Sequence, residues 1–218
     1  MQAQDRHRVI AIDGPAASGK SSVARALARR LGFVYVNSGA MYRAVTWTAL
    51  SRGIDSTDKI GIAKLVSELR MGGKFVDAEF HLLIDDLDLI EHLYEDHVNS
   101  EVASVSTVPE VRKRLVERMR KCADNHDLVI EGRDIGSVVF SDTPYKFYIH
   151  ASPEVRARRR AAQGRRDEIA QRDRADSSRA ASPLIIAKDA EIIDTSNLSI
   201  NAVVDEVVMR LEKKGLRI

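Results

Sequence analysis

The chain has 218 residues, 44% of them hydrophobic and 30% charged, which is the composition of a globular domain and excludes a mainly disordered chain. Its 34 Lys and Arg residues against 32 Asp and Glu leave a net charge of +2, so any strongly basic surface must be local. The single cysteine, Cys122, excludes an internal disulfide and predicts a reducing, cytoplasmic environment. No stretch reaches about 18 apolar residues, so we expect no membrane span and no membrane partner.

A glycine-rich loop follows the first apolar run of the chain. Residues 9–12 predict a buried strand, and the pattern G-x-x-x-x-G-K-S begins at Gly14. Apolar residues then recur every four positions up to Gly32, which predicts a helix that ends at a glycine. Between a strand and a helix, such a loop binds a nucleoside triphosphate: its backbone N–H groups surround phosphate oxygens, the lysine reaches the β and γ phosphates and the serine hydroxyl binds Mg²⁺. The alternative interpretation of the pattern is an exposed glycine-rich turn. The predicted ATP-binding residues are Gly14, Pro15, Ala16, Ala17, Ser18, Gly19, Lys20, Ser21 and Ser22.

The rest of the chain predicts an α/β fold, a P-loop NTPase-like parallel sheet flanked by helices. Short apolar runs that precede polar turns alternate with helical patterns, and the predicted strands are residues 33–36, 128–130, 146–149 and 192–193. Ligands of such sheets bind beyond the carboxyl ends of the strands, so we expect the functional residues among those that follow each strand.

Charged residues follow two of these strands. Ser38 is placed to cap a helix and Arg43 to lie one turn further on, although a plain capped helix with a surface arginine explains them equally well. Glu131 and Asp134 flank Arg133 after the third predicted strand, where Glu131 is placed to hold Mg²⁺ through water. The alternative for this second segment is a charged turn.

The segment from Arg156 to Arg179 contains nine arginines and no lysine. Guanidinium groups bind phosphates bidentately and stay charged, so the segment predicts a lid that closes on polyphosphate. An RNA-binding surface is the competing hypothesis, but the segment has no aromatic residue on which bases could stack. We therefore expect no nucleic-acid partner.

A cluster of histidine and aspartate residues resembles a metal site by composition alone. His92 and His97 are five residues apart and would not share one helix face, and no cysteine lies nearby. The sequence therefore predicts a solvated acidic insert in this region. The other members of the cluster are His81, Asp85, Asp86 and Asp88.

Taken together and in this order, the motifs resemble those of the bacterial cytidylate kinases, members of the nucleoside monophosphate kinase family of P-loop proteins. The resemblance covers nearly the whole chain, and the segments that carry it are residues 12–15, 38–43, 132–136, 172–179 and 182–184. It implies transfer of the ATP γ-phosphoryl group to CMP or dCMP with Mg²⁺. It also implies a core (residues 1–62, 99–151 and 183–218), a monophosphate-binding insert (63–98) and an arginine-rich lid (152–182).

The resemblance assigns roles to individual side chains. Asp134 suits cytosine because a carboxylate accepts from the exocyclic amine of cytosine but would face the carbonyl of uracil. Lys20, Arg133, Arg172 and Arg159 are expected to act in catalysis, with Arg158 and Arg159 near the donor. The acceptor phosphate is assigned to Arg43, Arg133, Arg172 and Arg179, the base to Ser38, Arg112 and Asp134, and the sugar hydroxyl to Asp176.

Two positions depart from the family pattern. Ala103 stands where a base-contacting serine is common, so we expect Ser104 or a water molecule to replace that hydroxyl, and Leu93-Tyr94 stands where an Ile-Arg pair is expected. A kinase of UMP, AMP or shikimate therefore stays open. A GTP-dependent switch is disfavoured because the chain has no Asn-Lys-x-Asp sequence. Family behaviour makes a monomer the expectation.

Overall fold

The computed structural model describes residues 7–162 and 184–217. It divides into two compact units, which we call the P-loop unit (Met1–Tyr35 and Ala123–Ile218) and the inserted unit (Val36–Cys122). The strands are β1 (Val9–Asp13), β2 (Val34–Asn37), β3 (Met71–Val76), β4 (Glu79–Ile84), β5 (Leu87–Asp88), β6 (Leu128–Gly132), β7 (Tyr145–His150) and β8 (Glu191–Asp194). The helices are α1 (Lys20–Leu31), α2 (Ser38–Ser51), α3 (Lys59–Glu68), α4 (Asp96–Val105), α5 (Pro109–Ala123), α6 (Pro153–Ala162) and α7 (Ile200–Lys213), with a π-helical turn at Ile135–Val139. None of these helices is long and apolar enough to cross a membrane.

The P-loop unit is built on a parallel sheet. β1 lies between β6 and β7, β8 lies beside β7, and all of these pairs are parallel. Every residue of β1 and β6 is buried, as expected for strands covered on both faces. The predicted parallel sheet is therefore confirmed, and its register places the ends of β1 and β6 side by side, with Asp13 opposite Gly132.

Helices α1 and α7 cover this sheet. The apolar stripe of α1 packs in one core with that of α7 and with β1 and β7, and the predicted stop of α1 at Gly32 is a left-handed residue with a φ of 68°. The N-cap of α7 is Ser199, whose side chain accepts a hydrogen bond from the Ala202 N–H. This core holds the first turn of α1, and with it the end of the glycine-rich loop, on a rigid support.

The inserted unit contains an antiparallel hairpin that the sequence analysis missed. β3 pairs with β4, and β4 pairs with β5. Alternate residues of β4 are buried, which is a period-two signal, but the turn that joins it to β3 is formed by Asp77 and Ala78. Both adopt left-handed backbone conformations, with φ of 49° and 62°; aspartate is usual at the first of these positions, but alanine stands at the second, where glycine is the usual signal. This unit includes residues 63–98 and extends beyond them on both sides.

The histidine and aspartate cluster lies in the inserted unit. His92 precedes α4 and His97 lies within it, so the two do not share a helix face, as expected. Both imidazoles nevertheless contact Glu95, at 2.6 Å and 3.4 Å. His81 lies 2.9 Å from Asp88 across the hairpin. In residues 7–162 and 184–217 no group of three or more His, Cys, Asp or Glu side chains is placed to hold a metal ion.

Candidate active site

The loop between β1 and α1 has the backbone geometry of a phosphate cradle. A Cβ atom at Gly14 would overlap the carbonyl oxygen of Ile149 in β7, so only glycine fits there. Gly19 caps the N-terminus of α1 with a φ of 93°, and Ala17 also has a positive φ, of 58°. The loop therefore ends at a helix N-terminus whose N–H groups and positive dipole favour an anion.

A buried carboxylate lies behind this loop. Glu131 is 3% exposed, and its Oε1 accepts a hydrogen bond from Ser21 Oγ at 2.8 Å and another from the Tyr35 hydroxyl at 3.4 Å. The other oxygen, Oε2, lies 3.8 Å from Lys20 Nζ, which also donates to the Pro15 carbonyl at 3.3 Å. The structure thus brings together the lysine, the hydroxyl and the carboxylate that the sequence predicted.

This group of side chains fits Mg²⁺ and a triphosphate. Mg²⁺ prefers oxygen ligands and usually keeps several waters while it bridges one or two protein groups and substrate phosphates. The Ser21 hydroxyl and the Glu131 carboxylate are hard oxygen donors that already share a hydrogen bond. Lys20 is only 8% exposed and supplies a positive charge beside them.

Asp13 is a site residue that the sequence analysis missed. It is the last residue of β1, it is 5% exposed, and its carboxylate accepts hydrogen bonds from the N–H groups of Ile135 at 2.8 Å and Gly136 at 2.7 Å. Burial raises the pKa of Asp13 to about 6 against the opposing effect of these two hydrogen bonds. The available signal was a polar residue directly after the apolar run of residues 9–12. Its hydrogen-bond partners lie 122 and 123 residues further along the chain.

The turn that Asp13 holds carries Arg133 and Asp134. The Arg133 side chain donates to the Gly14 carbonyl at 2.8 Å, so its guanidinium lies against the first glycine of the loop. Asp134 is 6% exposed, and its carbonyl accepts from the N–H groups of Val138 and Val139 in the π-helical turn. Both predicted residues therefore lie in the P-loop unit, and Arg133 contacts the loop directly.

Helix α6 contributes Arg159 to the same unit. Its guanidinium donates to the Ser18 carbonyl at 3.1 Å and lies 3.5 Å from the Ala17 carbonyl, whereas its neighbour Arg158 is exposed. Arg159 is thus the arginine of this pair that contacts the loop. The predicted residues Arg172, Asp176 and Arg179 lie outside the described residues.

The inserted unit holds the remaining predicted residues, beginning with Ser38. The expectation that Ser38 caps α2 was wrong: Asn37 is the N-cap, and Ser38 is the first helical residue, 5% exposed. Asn37 has an extended backbone, and its side-chain oxygen accepts from the Ala40 N–H at 3.0 Å, which is the capping geometry.

Arg43 lies one turn into α2 and contacts side chains and backbone of the inserted unit. It donates to the Gly39 carbonyl at 2.9 Å and, through Nε, to Asn99 Oδ1 at 3.2 Å. Its guanidinium carbon is 5.3 Å from the centre of the Tyr94 ring, within range of a cation–π interaction. Tyr94, which departs from the family pattern, therefore contacts a predicted phosphate-binding arginine.

Arg112 is buried in α5. It is 8% exposed, its guanidinium carbon is 5.8 Å from the centre of the Tyr42 ring, and it donates to the Ser106 carbonyl at 3.5 Å. The Ser104 hydroxyl, the candidate replacement for the serine missing at position 103, donates to the Ser56 carbonyl at 2.8 Å. A buried arginine beside an aromatic ring is a group that can donate to the acceptors of a planar base.

Comparisons with known proteins agree with this arrangement. A family model described as cytidylate kinase matches residues 10–213. A cytidylate kinase of Pelotomaculum thermopropionicum is 46% identical over 215 residues, covering 93% of this chain and 95% of its own length. One of Mycobacterium leprae is 44% identical over 203 residues, covering 88% of this chain and 89% of its own length.

Among solved structures, a gluconokinase from Sinorhizobium meliloti aligns with a TM-score of 0.50 at 15% identity, covering 97% of this chain and 95% of that chain. This likeness concerns the fold alone, and it agrees with the helix-flanked parallel sheet of the P-loop unit. The match of the family model over most of the chain and the identity to full-length relatives show the family directly. The chain belongs to the cytidylate kinase family.

Proposed function

We propose that this chain transfers the γ-phosphoryl group of ATP to CMP or dCMP, giving ADP and CDP or dCDP. The observation that carries the proposal is the cluster of Lys20, Ser21 and Glu131 behind a glycine-rich loop, in a chain of the cytidylate kinase family. The family implies the use of ATP, and the donor site comprises the loop residues from Gly14 to Ser22.

Ser21 and Glu131 would hold Mg²⁺, Ser21 directly and Glu131 through water. When bound, Mg²⁺ supplies charge neutralisation between the β and γ phosphates. Lys20 binds the same phosphates. Its side chain is nearly buried next to a carboxylate, so it has little freedom to rotate away, and its charge is preorganised for the transferring group.

The reaction needs cations rather than a general base. The nucleophile is a phosphate oxygen of the acceptor, which is already ionised at neutral pH, so no proton has to be removed for attack. Arg43 and Arg133 would bind the acceptor phosphate, together with Arg172 and Arg179, and reduce its repulsion from the donor. Arg159 donates a hydrogen bond to the Ser18 carbonyl and so stabilises the loop that would bind the donor.

Base selection is proposed for Asp134, Arg112 and Ser38, and sugar binding for Asp176. Asp134 and Arg112 are both nearly buried, so a base that leaves either of them without a hydrogen bond would lose binding energy. The Ser104 hydroxyl already donates its proton to a backbone carbonyl, which favours water over Ser104 as the replacement for the missing serine at position 103.

We also propose which segments of the chain form the acceptor-binding insert and the lid. Residues 63–98 would form the monophosphate-binding insert, which includes the β3–β4 hairpin, and residues 152–182 the lid, which begins with α6. We propose a cytoplasmic monomer whose partners are ATP, CMP and dCMP rather than nucleic acid. Size-exclusion chromatography coupled to light scattering would test the monomer, with a mass near 24.3 kDa expected.

The test of the activity is a coupled ADP-release assay with Mg·ATP against CMP, dCMP, UMP, AMP, GMP and shikimate. We expect turnover concentrated on CMP and dCMP. Preference for UMP would overturn the assignment of Asp134 and Arg112 to the base and leave phosphoryl transfer standing. No turnover with any acceptor would contradict the proposed function.

A further inference from the structure

Thr195 is a buried residue that no part of the proposed mechanism has yet used. It follows the last residue of β8, is 2% exposed, and its N–H donates to the His150 carbonyl at the end of β7 at 2.8 Å. Two parallel strands therefore fix its backbone at the edge of the sheet where the glycine-rich loop lies.

The Thr195 hydroxyl connects this strand end to the loop. Its Oγ1 lies 2.7 Å from the Ser18 carbonyl oxygen and 3.1 Å from the His150 carbonyl oxygen. Because the hydroxyl has a single proton, it donates to the nearer of the two, the Ser18 carbonyl. The same oxygen accepts from Arg159 Nη1 at 3.1 Å. The hydroxyl is therefore both a donor to the loop and an acceptor from α6.

Arg159 closes this network from the other side. One guanidinium nitrogen donates to the Ser18 carbonyl at 3.1 Å, and the other donates to the Thr195 carbonyl at 2.8 Å. The Ser18 carbonyl thus receives hydrogen bonds from two side chains that are distant in sequence, Thr195 and Arg159. Such double anchoring of one carbonyl in a loop fixes the plane of its peptide.

That peptide joins Ser18 to Gly19, and its orientation determines where the Gly19 N–H points. In a planar trans peptide the C=O and N–H bonds point in opposite directions, so holding the carbonyl against Thr195 and Arg159 directs the N–H away from them. A Cβ at Gly19 would make only ordinary contacts with these side chains, 3.5 Å from Arg159 Nη1 and 3.8 Å from Thr195 Oγ1. The φ of 93°, not lack of space, therefore requires glycine at this position.

We propose that Thr195 is a positioning residue for the phosphoryl donor: its hydroxyl holds the Ser18–Gly19 peptide so that the Gly19 N–H faces the donor phosphates. Thr195 itself does not touch the donor. The inference rests on the proposed function, because it takes the loop to be the ATP site. It predicts that removing the hydroxyl weakens ATP binding and leaves binding of the acceptor unchanged.

The test compares a substitution that removes the hydroxyl with one that keeps it. Thr195→Val keeps the shape of the side chain and removes its hydrogen bonds, whereas Thr195→Ser keeps the hydroxyl and removes a methyl group. We expect Thr195→Val to raise the Kd for Mg·ATP, measured by calorimetry without acceptor, roughly 5- to 10-fold, the size typical of one buried hydrogen bond. Thr195→Ser should stay within about twofold of the wild type. The KM for CMP should change less than about twofold in both variants, because the Thr195 hydroxyl bonds to Ser18, His150 and Arg159 rather than to residues assigned to the acceptor.

The other possible outcomes show whether the role of Thr195 or the proposed donor site is wrong. Equal Kd values for wild type and Thr195→Val would overturn the inference, as would equal increases in the KM values for ATP and CMP, which a merely structural role predicts. Thr195→Ala serves the same purpose if the valine variant does not fold, with thermal unfolding measured for all variants. If wild type binds Mg·ATP but Lys20→Ala binds it equally well, the assignment of the donor site is wrong, and the inference is wrong with it.

Discussion

The predicted phosphate-binding groups of the two units are held in place in different ways. In the P-loop unit the charged groups lie at strand ends and helix starts: Lys20, Glu131 and Asp13 are each less than 10% exposed and are held by backbone or by one another. In the inserted unit Arg43 projects from a helix, and part of its support comes from the side chains of Asn99 and Tyr94. Tyr94 itself is 43% exposed.

This difference indicates which contacts can vary between related chains. A loop whose carbonyls and N–H groups are fixed by the sheet tolerates little change, since even a Cβ at Gly14 would overlap Ile149. An arginine supported by an amide and an aromatic ring can be supported by other side chains. Tyr94 stands where the family pattern has arginine, and here it is one of these supports.

The largest effect on kcat is expected from removing a positively charged side chain of the P-loop unit. Lys20→Ala or Arg133→Ala should lower kcat roughly 100-fold or more, because a preorganised charge beside the transferring phosphoryl group is lost. Steady-state kinetics with CMP measures this. Lys213→Ala, which changes an exposed lysine at the end of α7, is the matched control and should have no effect. Losses below about threefold for both variants would contradict these roles.

The next effect concerns Asp13 and depends on pH. The pKa of Asp13 is about 6 in the folded state and about 3.8 in the unfolded state, so the folded protein binds the proton more tightly. The resulting contribution to the free energy of unfolding is fully present below about pH 3.8 and is lost as the pH rises through about 6. Asp13→Asn does not titrate. The free energy of unfolding of wild type minus that of Asp13→Asn should therefore fall by about 2 kcal/mol between about pH 4.5 and about pH 7.5. Urea unfolding measures this difference, and a difference that stays constant with pH would contradict it.

In the inserted unit, Arg43→Ala should act on the acceptor alone. We expect the KM for CMP to rise roughly 10-fold, the size of a charge-assisted hydrogen bond, with the KM for ATP nearly unchanged. Arg70→Ala removes an exposed arginine that pairs with Asp86 on the surface of the same unit, and it should leave both KM values unchanged. Equal increases in the two KM values for Arg43→Ala would show a general loss of structure instead.

The smallest effects test the support of Arg43. Tyr94→Leu and Asn99→Ala should each raise the KM for CMP about two- to fourfold, since each removes one weak contact from the guanidinium. Tyr94→Phe keeps the ring and should match the wild type. If the effects of Tyr94→Leu persist in an Arg43→Ala background, Tyr94 does not act through Arg43.

Local patterns in the sequence predicted the elements of the P-loop unit. The apolar run before Gly14, the glycine stop at Gly32 and the serine before α7 are signals within a few residues of the structure they cause. The β3–β4 hairpin escaped prediction because Ala78, which rarely adopts a left-handed conformation, follows Asp77 in its turn where glycine is the usual signal.

The roles of Asp13 and Thr195 could not be predicted in the same way. Each depends on partners more than 100 residues away, Asp13 on the N–H groups of Ile135 and Gly136 and Thr195 on the Ser18 carbonyl. No local pattern specifies such a pair, because the contact exists only after parallel strands bring their carboxyl ends to one edge of the sheet.

The sequence by itself determined the phosphate-binding loop, the alternation of strands and helices and the family, since each is written in spacing and residue type along a continuous segment. Only the tertiary structure decided what holds the loop and its charges in place. It buried Asp13 where desolvation and hydrogen bonds act on its pKa in opposite directions. It also buried Glu131 against Ser21 and anchored the Ser18 carbonyl to Thr195 and Arg159. These properties arise from burial and from long-range contacts, which a linear sequence does not display.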